Sequence, residues 1–301
     1  MDSKRVAVTG STGLIGEALV ASLEADGHRV HRVTRSASSA GPDDVVWDPL
    51  GGRVDTAPLE GVDAVVHLAG EPIGAKRWSD EVKRAIHESR STGTRTLAEA
   101  LASLQRPPGV LVSGSAVGYY GDRGDEVLTE ASTPGDDFLA RVTIDWETAA
   151  TPAAAAGIRV VHPRTGVVMA KDGPLIEKVE LPFKLGVGGK VGSGEQYVAW
   201  IALEDEVRAL RFLIDGDLEG PVNLTGPEPV TNAELTRALG AVMHRPTVVP
   251  IPTFAIKALY GEMGASLATV SQRAIPAVLQ EAGFEFRHPR IRSALEVALN
   301  G

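Results

Sequence analysis

The sequence predicts an α/β fold, a doubly wound parallel sheet covered by helices on both faces, with a smaller, partly interleaved C-terminal α+β lobe. Two observations carry the first part. Short β-branched runs alternate with stretches of helical periodicity through the first 170 residues, and a glycine-rich turn joins the first strand to the first helix. The third is a change of texture near residue 170, where glycine clusters (Gly186–Glu195) and a Pro-rich stretch (Thr247–Pro252) break the alternation. The chain therefore reads as a domain over 1–170 and a smaller lobe over 171–301.

Each element has its own signal. Arg5–Thr9 is a short run ending in glycines, and Leu14, Ile15, Ala18, Leu19 and Leu23 follow at helical spacing until Gly27 closes the helix. Arg29–Thr34 alternates as a second strand; after a loop, Asp63–Leu68 reads as a buried third. A long helix over Asp80–Ser103 carries Ile86, Leu97 and Leu101 on its apolar side. Val110–Ser113, a helix over Phe138–Ala156 and a strand at Ile158–His162 continue the pattern. Beyond it lie a helix at Asp205–Ile214 and a mostly helical tail, Ala255–Leu299.

Composition narrows the chemistry. The 301 residues include 33 Gly, 19 Pro and no Cys, with 43 % hydrophobic and 23 % charged residues, so a large core is expected. Without Cys there is no disulfide scaffold, thiolate metal site, iron–sulfur cluster or cysteine nucleophile. A net charge of −9 argues against a surface built for nucleic acid. The seven His show no metal-binding spacing, and His67 reads as a packed strand-end residue. Met1–Arg5 is charged and Val6–Val8 is too short for a signal-peptide core, and no apolar run approaches a membrane span. A cytoplasmic protein acting on small molecules is expected.

Gly10-Ser11-Thr12-Gly13-Leu14-Ile15-Gly16, preceded by Thr9, is a TGxxGxxG turn between strand and helix. Gly10 permits the sharp turn, Gly13 lets backbone approach a pyrophosphate, and Gly16 lets the helix sit close to the sheet. With the second strand also in place, this is a Rossmann-type dinucleotide site. The end of that strand selects the cofactor. NAD enzymes place a carboxylate there for the ribose 2′-hydroxyl, whereas a 2′-phosphate wants Arg. His28–Pro42 contains no acidic residue but has Arg29, Arg32 and Arg35, with Ser36 as a further donor, so the expectation is NADP(H).

TGxxGxxG at Thr9–Gly16, His67-Leu68-Ala69-Gly70, and Ser113-Gly114-Ser115 before Tyr119-Tyr120-Gly121 resemble the extended short-chain dehydrogenase/reductase superfamily, which includes nucleotide-sugar epimerases. Trp200–Asp205 and Gly220–Leu224 look like its segments that return to the first domain, near 200–230. Gly70-Glu71-Pro72-Ile73, Arg77-Trp78, Glu88-Ser89-Arg90, Leu181–Gly186, Gly192-Ser193-Gly194 and Gly283-Phe284-Glu285-Phe286 are similar to an epimerase-like subfamily described as NADP-dependent oxidoreductases, with a small C-terminal domain of unknown function. That resemblance implies that Thr34, Arg35, Leu68, Ala69 and Arg90 line the NADP site. Arg90 also suits the role independently, since its helix faces the glycine turn and a guanidinium can bind phosphate.

The superfamily's chemistry rests on Tyr-x-x-x-Lys, in which Lys lowers the Tyr pKa and Tyr exchanges a proton with the substrate oxygen. Here the corresponding segment, Asp136–Thr143, has Phe138 or Leu139 for Tyr and Val142 or Thr143 for Lys, and none of Tyr119, Tyr120, Tyr197 and Tyr260 precedes a Lys by four. Ser115 is placed to polarise a carbonyl, and Tyr119 or Tyr120 is a candidate proton donor with Arg123 near in sequence to depress its pKa. The alternative is that the two Tyr only pack the loop. Arg141 and Asp145 are spaced for a surface pair. On the substrate side, Lys184, Lys190, Gln196, Trp200 and Arg164 suit an anionic small molecule, and a loop with ordinary charges fits the same residues. The reading is an NADP(H)-binding, epimerase-like oxidoreductase. A catalytically silent NADP(H) redox sensor and a sugar-nucleotide epimerase or reductase are the alternatives.

Overall fold

The computed structural model describes residues 3–300; of the charged start, Met1 and Asp2 lie outside the described residues. The chain enters as β1 (Arg5–Thr9), α1 (Leu14–Ala25) and β2 (Arg29–Thr34), then β3 (Val45–Asp48), β4 (Arg53–Val54) and β5 (Ala64–His67). Helix α2 (Asp80–Ala102) leads to β6 (Val110–Ser113), β7 (Ser115–Ala116), a helical turn at Val117–Tyr120, and β8 (Val127–Leu128). Next come α3 (Phe138–Ala149), α4 (Thr151–Ala155), β9 (Arg159–Thr165), β10 (Val167–Met169) and α5 (Pro174–Lys184). β11 (Tyr197–Val198), β12 (Trp200–Ala202), α6 (Leu203–Asp215), β13 (Gly220–Leu224) and β14 (Val230–Thr231) follow. The chain ends with α7 (Asn232–Met243), α8 (Thr253–Ala268), β15 (Arg273–Ala274), α9 (Ala277–Glu281) and α10 (Ile291–Asn300).

Among the described residues, nine strands form the central sheet in the order β13-β9-β6-β5-β1-β2-β3-β4, with β7 beside the end of β9. All its pairings are parallel except β3 with β4. From β1 the chain builds outward through β2 and then crosses back to place β5 on the other side. The strand order therefore reverses between β1 and β5, where α/β sheets open a crevice beyond their carboxyl ends.

Strand alternation supplies both covered faces. Val6, Val8, Val66 and Val112 point to one side, against Leu19, Val20 and Leu23 of α1 and Val207, Leu210 and Leu213 of α6. Ala7, Val65 and Leu111 point to the other, against Leu97, Ala98 and Leu101 of α2. Burying each leucine contributes about 1.5–3 kcal/mol. A separate core of Met169, Ile176, Phe183, Trp200, Leu235, Leu239 and Leu295 joins α5, β12, α7 and α10. The tail is tied back to the first half, because β15 pairs with β8.

Three expectations change. Val45–Asp48 is a strand, not loop, and Trp47 buries its ring against the sheet. The helix expected over Phe138–Ala156 breaks after Ala149, because Pro152 has no N–H and fits only in the first turn of a new helix. The strand expected at Ile158–His162 runs on to Thr165 despite Pro163. On one side β6 pairs only up to Val161 and β7 resumes at Arg164, so Pro163 falls in the gap of the ladder. No helix among the described residues is long and apolar enough to cross a membrane.

One buried carboxyl stands out in this core. Glu206 in α6 is fully buried; Thr165 donates to its Oε1 at 2.8 Å, and Oε2 has no partner among the described residues. Burial pushes its pKa up from 4.5 to about 8, so the folded protein carries it protonated at neutral pH. Between these two values the folded state holds a proton that the unfolded chain has released. Stability is therefore fully present below pH 4.5 and falls as pH rises to about 8. Glu206→Gln is expected to flatten this dependence and to gain most over the parent near pH 8, as measured by urea unfolding at pH 5, 6.5 and 8.

Candidate functional site

The crevice is built around Thr9, the last residue of β1. Its hydroxyl accepts the backbone N–H of Leu68 at 3.0 Å and of Ala69 at 3.1 Å, so its single proton goes to His67 Nδ1 at 2.7 Å. That leaves the His67 proton on Nε2, which donates to Thr94 Oγ1 at 2.9 Å. Burial, followed by the charge of Arg90, lowers the His67 pKa to about 4, in keeping with a neutral ring. His67 is a packed strand-end residue, as expected, and it locks two carboxyl ends together.

On that frame the glycine turn has little freedom. Gly10 has φ +65°, and a Cβ there would lie 2.9 Å from the Leu68 carbonyl carbon. A Cβ on Gly16 would lie 2.1 Å from the Gly10 carbonyl oxygen. Ser11 and Thr12 form the tip, Gly13 is the N-cap of α1 and donates to Gly10 at 3.0 Å, and no side chain caps the helix. The first-turn N–H groups around Leu14, Ile15 and Gly16 thus face outward with the positive end of the helix dipole. Leu68, Ala69 and Gly70 form the opposite lip.

Under that lip lies Arg90. A Cβ on Gly70 would come within 3.1 Å of its guanidinium carbon, which also stacks over Trp146 at 4.9 Å. Arg90 donates to the carbonyls of Glu71 (2.9 Å) and Ile86 (3.2 Å), and burial holds its pKa down to about 10. The expectation of a guanidinium simply facing the glycine turn is thus refined: its near neighbours are the Gly70 backbone and carbonyl oxygens.

At the end of β2 the three Arg separate by role. Arg29 pairs with Asp43 and Arg32 with Glu24. Arg35 is exposed and has no hydrogen-bond or ion-pair partner among the described residues. The Thr34 hydroxyl accepts from Ser36 N–H, and Ser36 Oγ lies 2.9 Å from Ser38 Oγ.

The third wall holds what the sequence only half disclosed. Ser115 Oγ donates to Glu147 Oε1 at 2.6 Å, and Arg164 grips both oxygens of that carboxylate, Nε to Oε1 at 2.8 Å and Nη2 to Oε2 at 2.9 Å. Burial opposes the charge on Arg164, yet the hydrogen bonds and charge of Glu147 outweigh it and leave the guanidinium more firmly protonated than usual. Arg164 also donates to Tyr120 Oη at 3.2 Å, and Tyr120 donates to Asn223 Oδ1 at 2.6 Å.

These contacts correct several expectations. Tyr120 is fully buried with its hydroxyl committed to Asn223, and burial pushes its pKa up against the pull of Arg164, so it is not a proton donor to a ligand. Ser115 gives its proton to Glu147 and so does not polarise a carbonyl. Tyr119 is half-buried under the Arg164 guanidinium, 3.4 Å from its ring centroid, and its hydroxyl makes no hydrogen bond among the described residues. The cation beside these phenols is Arg164, not Arg123, which pairs with Glu126. Arg164 in turn is buried rather than directed at a ligand. Arg141 donates to the Asp136 carbonyl, and Asp145 pairs with His87, so the expected surface pair is absent.

The substrate-side candidates also have structural work. Lys184 pairs with Glu180, Lys190 donates to Ser193, Gln196 bridges Val191 and Ala268, and buried Trp200 donates to Glu228. Where the superfamily has its Tyr-x-x-x-Lys helix, Phe138 packs edge-on against Trp78, while Val142 and Thr143 are buried. Glu147 and Asn223 were missed. Glu147 stands next to Trp146 at the far end of that helix, and only its partner strand reveals its purpose.

Together these features define a dinucleotide-binding α/β protein whose crevice opens at the sheet's switch point. The chain belongs to the NAD dependent epimerase/dehydratase family, whose model matches residues 6–224, and a domain of unknown function, DUF1731, matches residues 251–298. It is 46 % identical over 294 residues to Epimerase family protein Mb2239 of Mycobacterium bovis, covering 97 % of each chain. It superposes on the crystal structure of human epimerase family protein SDR39U1 with NADPH at a TM-score of 0.90, with 33 % identity and 99 % of each chain covered. A nucleoside-diphosphate sugar epimerase from Corynebacterium glutamicum matches at 0.82 and 39 % identity, over 99 % of this chain and 58 % of that one.

Thr9→Val removes one hydroxyl but strands two backbone N–H groups and the Nδ1 of a buried imidazole. We expect a loss of about 1–3 kcal/mol in urea unfolding, together with faster amide exchange at Leu68 and Ala69 by mass spectrometry.

Proposed function

We propose that the protein is an NADP(H)-binding, epimerase-like oxidoreductase of the cytoplasm, acting on a small molecule. The observation that carries this reading is Arg35. Its guanidinium, at the end of β2 beside Ser36, has no partner among the described residues, whereas the neighbouring Arg29 and Arg32 are paired with Asp43 and Glu24. A 2′-phosphate is matched there by charge and by planar donors; a 2′-hydroxyl would want a carboxylate, which β2 and the residues just after it do not supply. The NADPH named with the human relative supports the same choice.

The residues present fit a dinucleotide. Gly10 and Gly16 keep open a cradle that side chains would fill, and the uncapped start of α1 offers N–H groups to a diphosphate. Gly10, Ser11, Thr12, Gly13, Leu14, Ile15 and Gly16 would hold the diphosphate, and Thr34, Arg35 and Ser36 the 2′-phosphate. Leu68, Ala69, Gly70 and Arg90 would form the far lip. When bound, the nicotinamide supplies or takes up a hydride. This chain's residues then have to orient the ligand and manage its proton. Tyr119 would serve the proton, Ser115 would orient the ligand through its lone pairs, and residues 171–301 would close over the ligand.

A second reading, a catalytically silent NADP(H) sensor, is favoured by a different observation. Tyr-x-x-x-Lys is absent, and Tyr120, whose hydroxyl accepts a hydrogen bond from the buried Arg164, is sealed in the core.

Titration with NADPH and NADH is expected to show tighter binding of NADPH. Arg35→Glu should cost NADPH about 10- to 100-fold, the loss of one or two charge-assisted hydrogen bonds, and leave NADH little changed. Equal affinities for the two cofactors in the parent protein would overturn the NADP(H) reading. Turnover in a panel of alcohols, ketones and quinones separates the enzyme from the sensor.

A further inference from the structure

We propose that Glu147 is a positioning residue that fixes Ser115 as a hydrogen-bond acceptor, so that the site takes a substrate presenting a hydroxyl rather than a carbonyl. This rests on the reading of the crevice as a cofactor and substrate site.

The direction of the Ser115–Glu147 bond follows from its surroundings. Glu147 Oε1 lies 2.6 Å from Ser115 Oγ, and both carboxylate oxygens face Arg164 in a bidentate pair, with side-chain exposures of only 3 % for Arg164 and 14 % for Glu147. A carboxylate held this way is ionised and has no proton to give, so the proton between them belongs to Ser115. Serine has one proton and two lone pairs. With the proton spent on Glu147, only lone pairs remain for a ligand, and a ligand carbonyl offers nothing to them. A ligand hydroxyl does.

Placement makes this relevant to the crevice. β7 extends past the end of β6, and Ser115 lies opposite Arg164 in the register, one strand over from the lip formed after β5. The clamp is also anchored from behind. Arg164 reaches Tyr120 and the Glu130 carbonyl, and Tyr120 reaches Asn223 of β13. Ser115 cannot rotate away without breaking a bond to a carboxylate that is itself immobile. The groups facing Glu147 are Arg164 and His162 of β9, with Tyr119 and Tyr120 of the helical turn beyond Arg164. Burial keeps His162 below its ordinary pKa. From α2, Arg90 approaches the neighbouring Trp146.

The absence of Cys gives a direct probe, because Ser115→Cys introduces the protein's only thiol. Its rate of alkylation by iodoacetamide is followed against pH in the full chain. The thiol is expected to titrate above the roughly 8.5 of a free cysteine. Adding Glu147→Gln is expected to bring the midpoint down by about one unit or more, since a facing carboxylate disfavours a thiolate. NADPH is expected to slow the alkylation. Should the double variant fail to fold, the infrared S–H stretch of the single variant decides: a band displaced to lower wavenumber supports the bond to Glu147, and one at the free-thiol position overturns it. A midpoint indifferent to Glu147→Gln, or a thiol unreactive in the folded protein, also overturns the proposal.

The substrate class is tested on the parent protein with cyclohexanol and cyclohexanone as probes, by saturation-transfer NMR in the presence of NADP. A stronger response from the alcohol that disappears in Ser115→Ala and survives in Ser115→Thr supports it; an equal or stronger response from the ketone, or none from either, overturns it. Failure of the cofactor reading looks different. The parent protein would then not bind NADPH, while the thiol midpoint would still respond to Glu147→Gln.

Discussion

The Thr9 hydroxyl is the contact on which the rest of the site depends. It is one oxygen with three hydrogen bonds: two backbone N–H groups from the lip after β5, and the ring of His67. It joins the carboxyl ends of the two parallel strands between which the strand order reverses. Gly10 follows directly, with its backbone so close to Leu68 that no side chain fits. Gly16 lets α1 begin against Gly10, and the helix start is thereby aimed at the opening. A neutral His67 completes the arrangement, since a charged imidazole would sit in the core beside Arg90.

A second constraint shapes the neighbouring wall. Arg164 is a buried cation, and such a group is tolerated only when its donors are matched. Glu147, Tyr120 and the Glu130 carbonyl match them. The consequence reaches the crevice because the same carboxylate also takes the proton of Ser115. Electrostatic needs in the core therefore decide which way a hydroxyl at the site points. Where Tyr-x-x-x-Lys would stand, Phe138 packs on Trp78 and Val142 and Thr143 are buried, and the Ser115–Glu147–Arg164 network is centred on Glu147, further along the same helix.

The family relation and the geometry agree on the crevice. Membership of the NAD dependent epimerase/dehydratase family accounts for the glycine turn, the parallel sheet and the strand that returns at Gly220–Leu224. The family's name carries NAD, and the local feature at the end of β2 is Arg35, exposed and without a partner among the described residues. The tail is tied into the first half through β15 against β8 and Asn223 Nδ2 donating to the Ile275 carbonyl, so C-terminal residues also form part of the packing behind the site.

The sequence by itself determined the features that act locally. Alternating periodicity, the spacing of Gly10, Gly13 and Gly16, and the lack of acid near Arg35 each arise from neighbouring residues; the first two specified the sheet and the turn, and the third is the ground for expecting a phosphorylated cofactor. It misjudged Val45–Asp48 and the end of β9, because a short polar-flanked run and an internal Pro are strand-like only beside particular partners. Only the tertiary structure decided which of two adjacent phenols is sealed, which Arg is free, and where the Ser115 proton goes. Those outcomes depend on Asn223, Glu24 and Asp43, and Glu147, which pack against their partners from other elements. Hydrogen-bond direction and burial are properties of that packing, and no spacing along the chain records them.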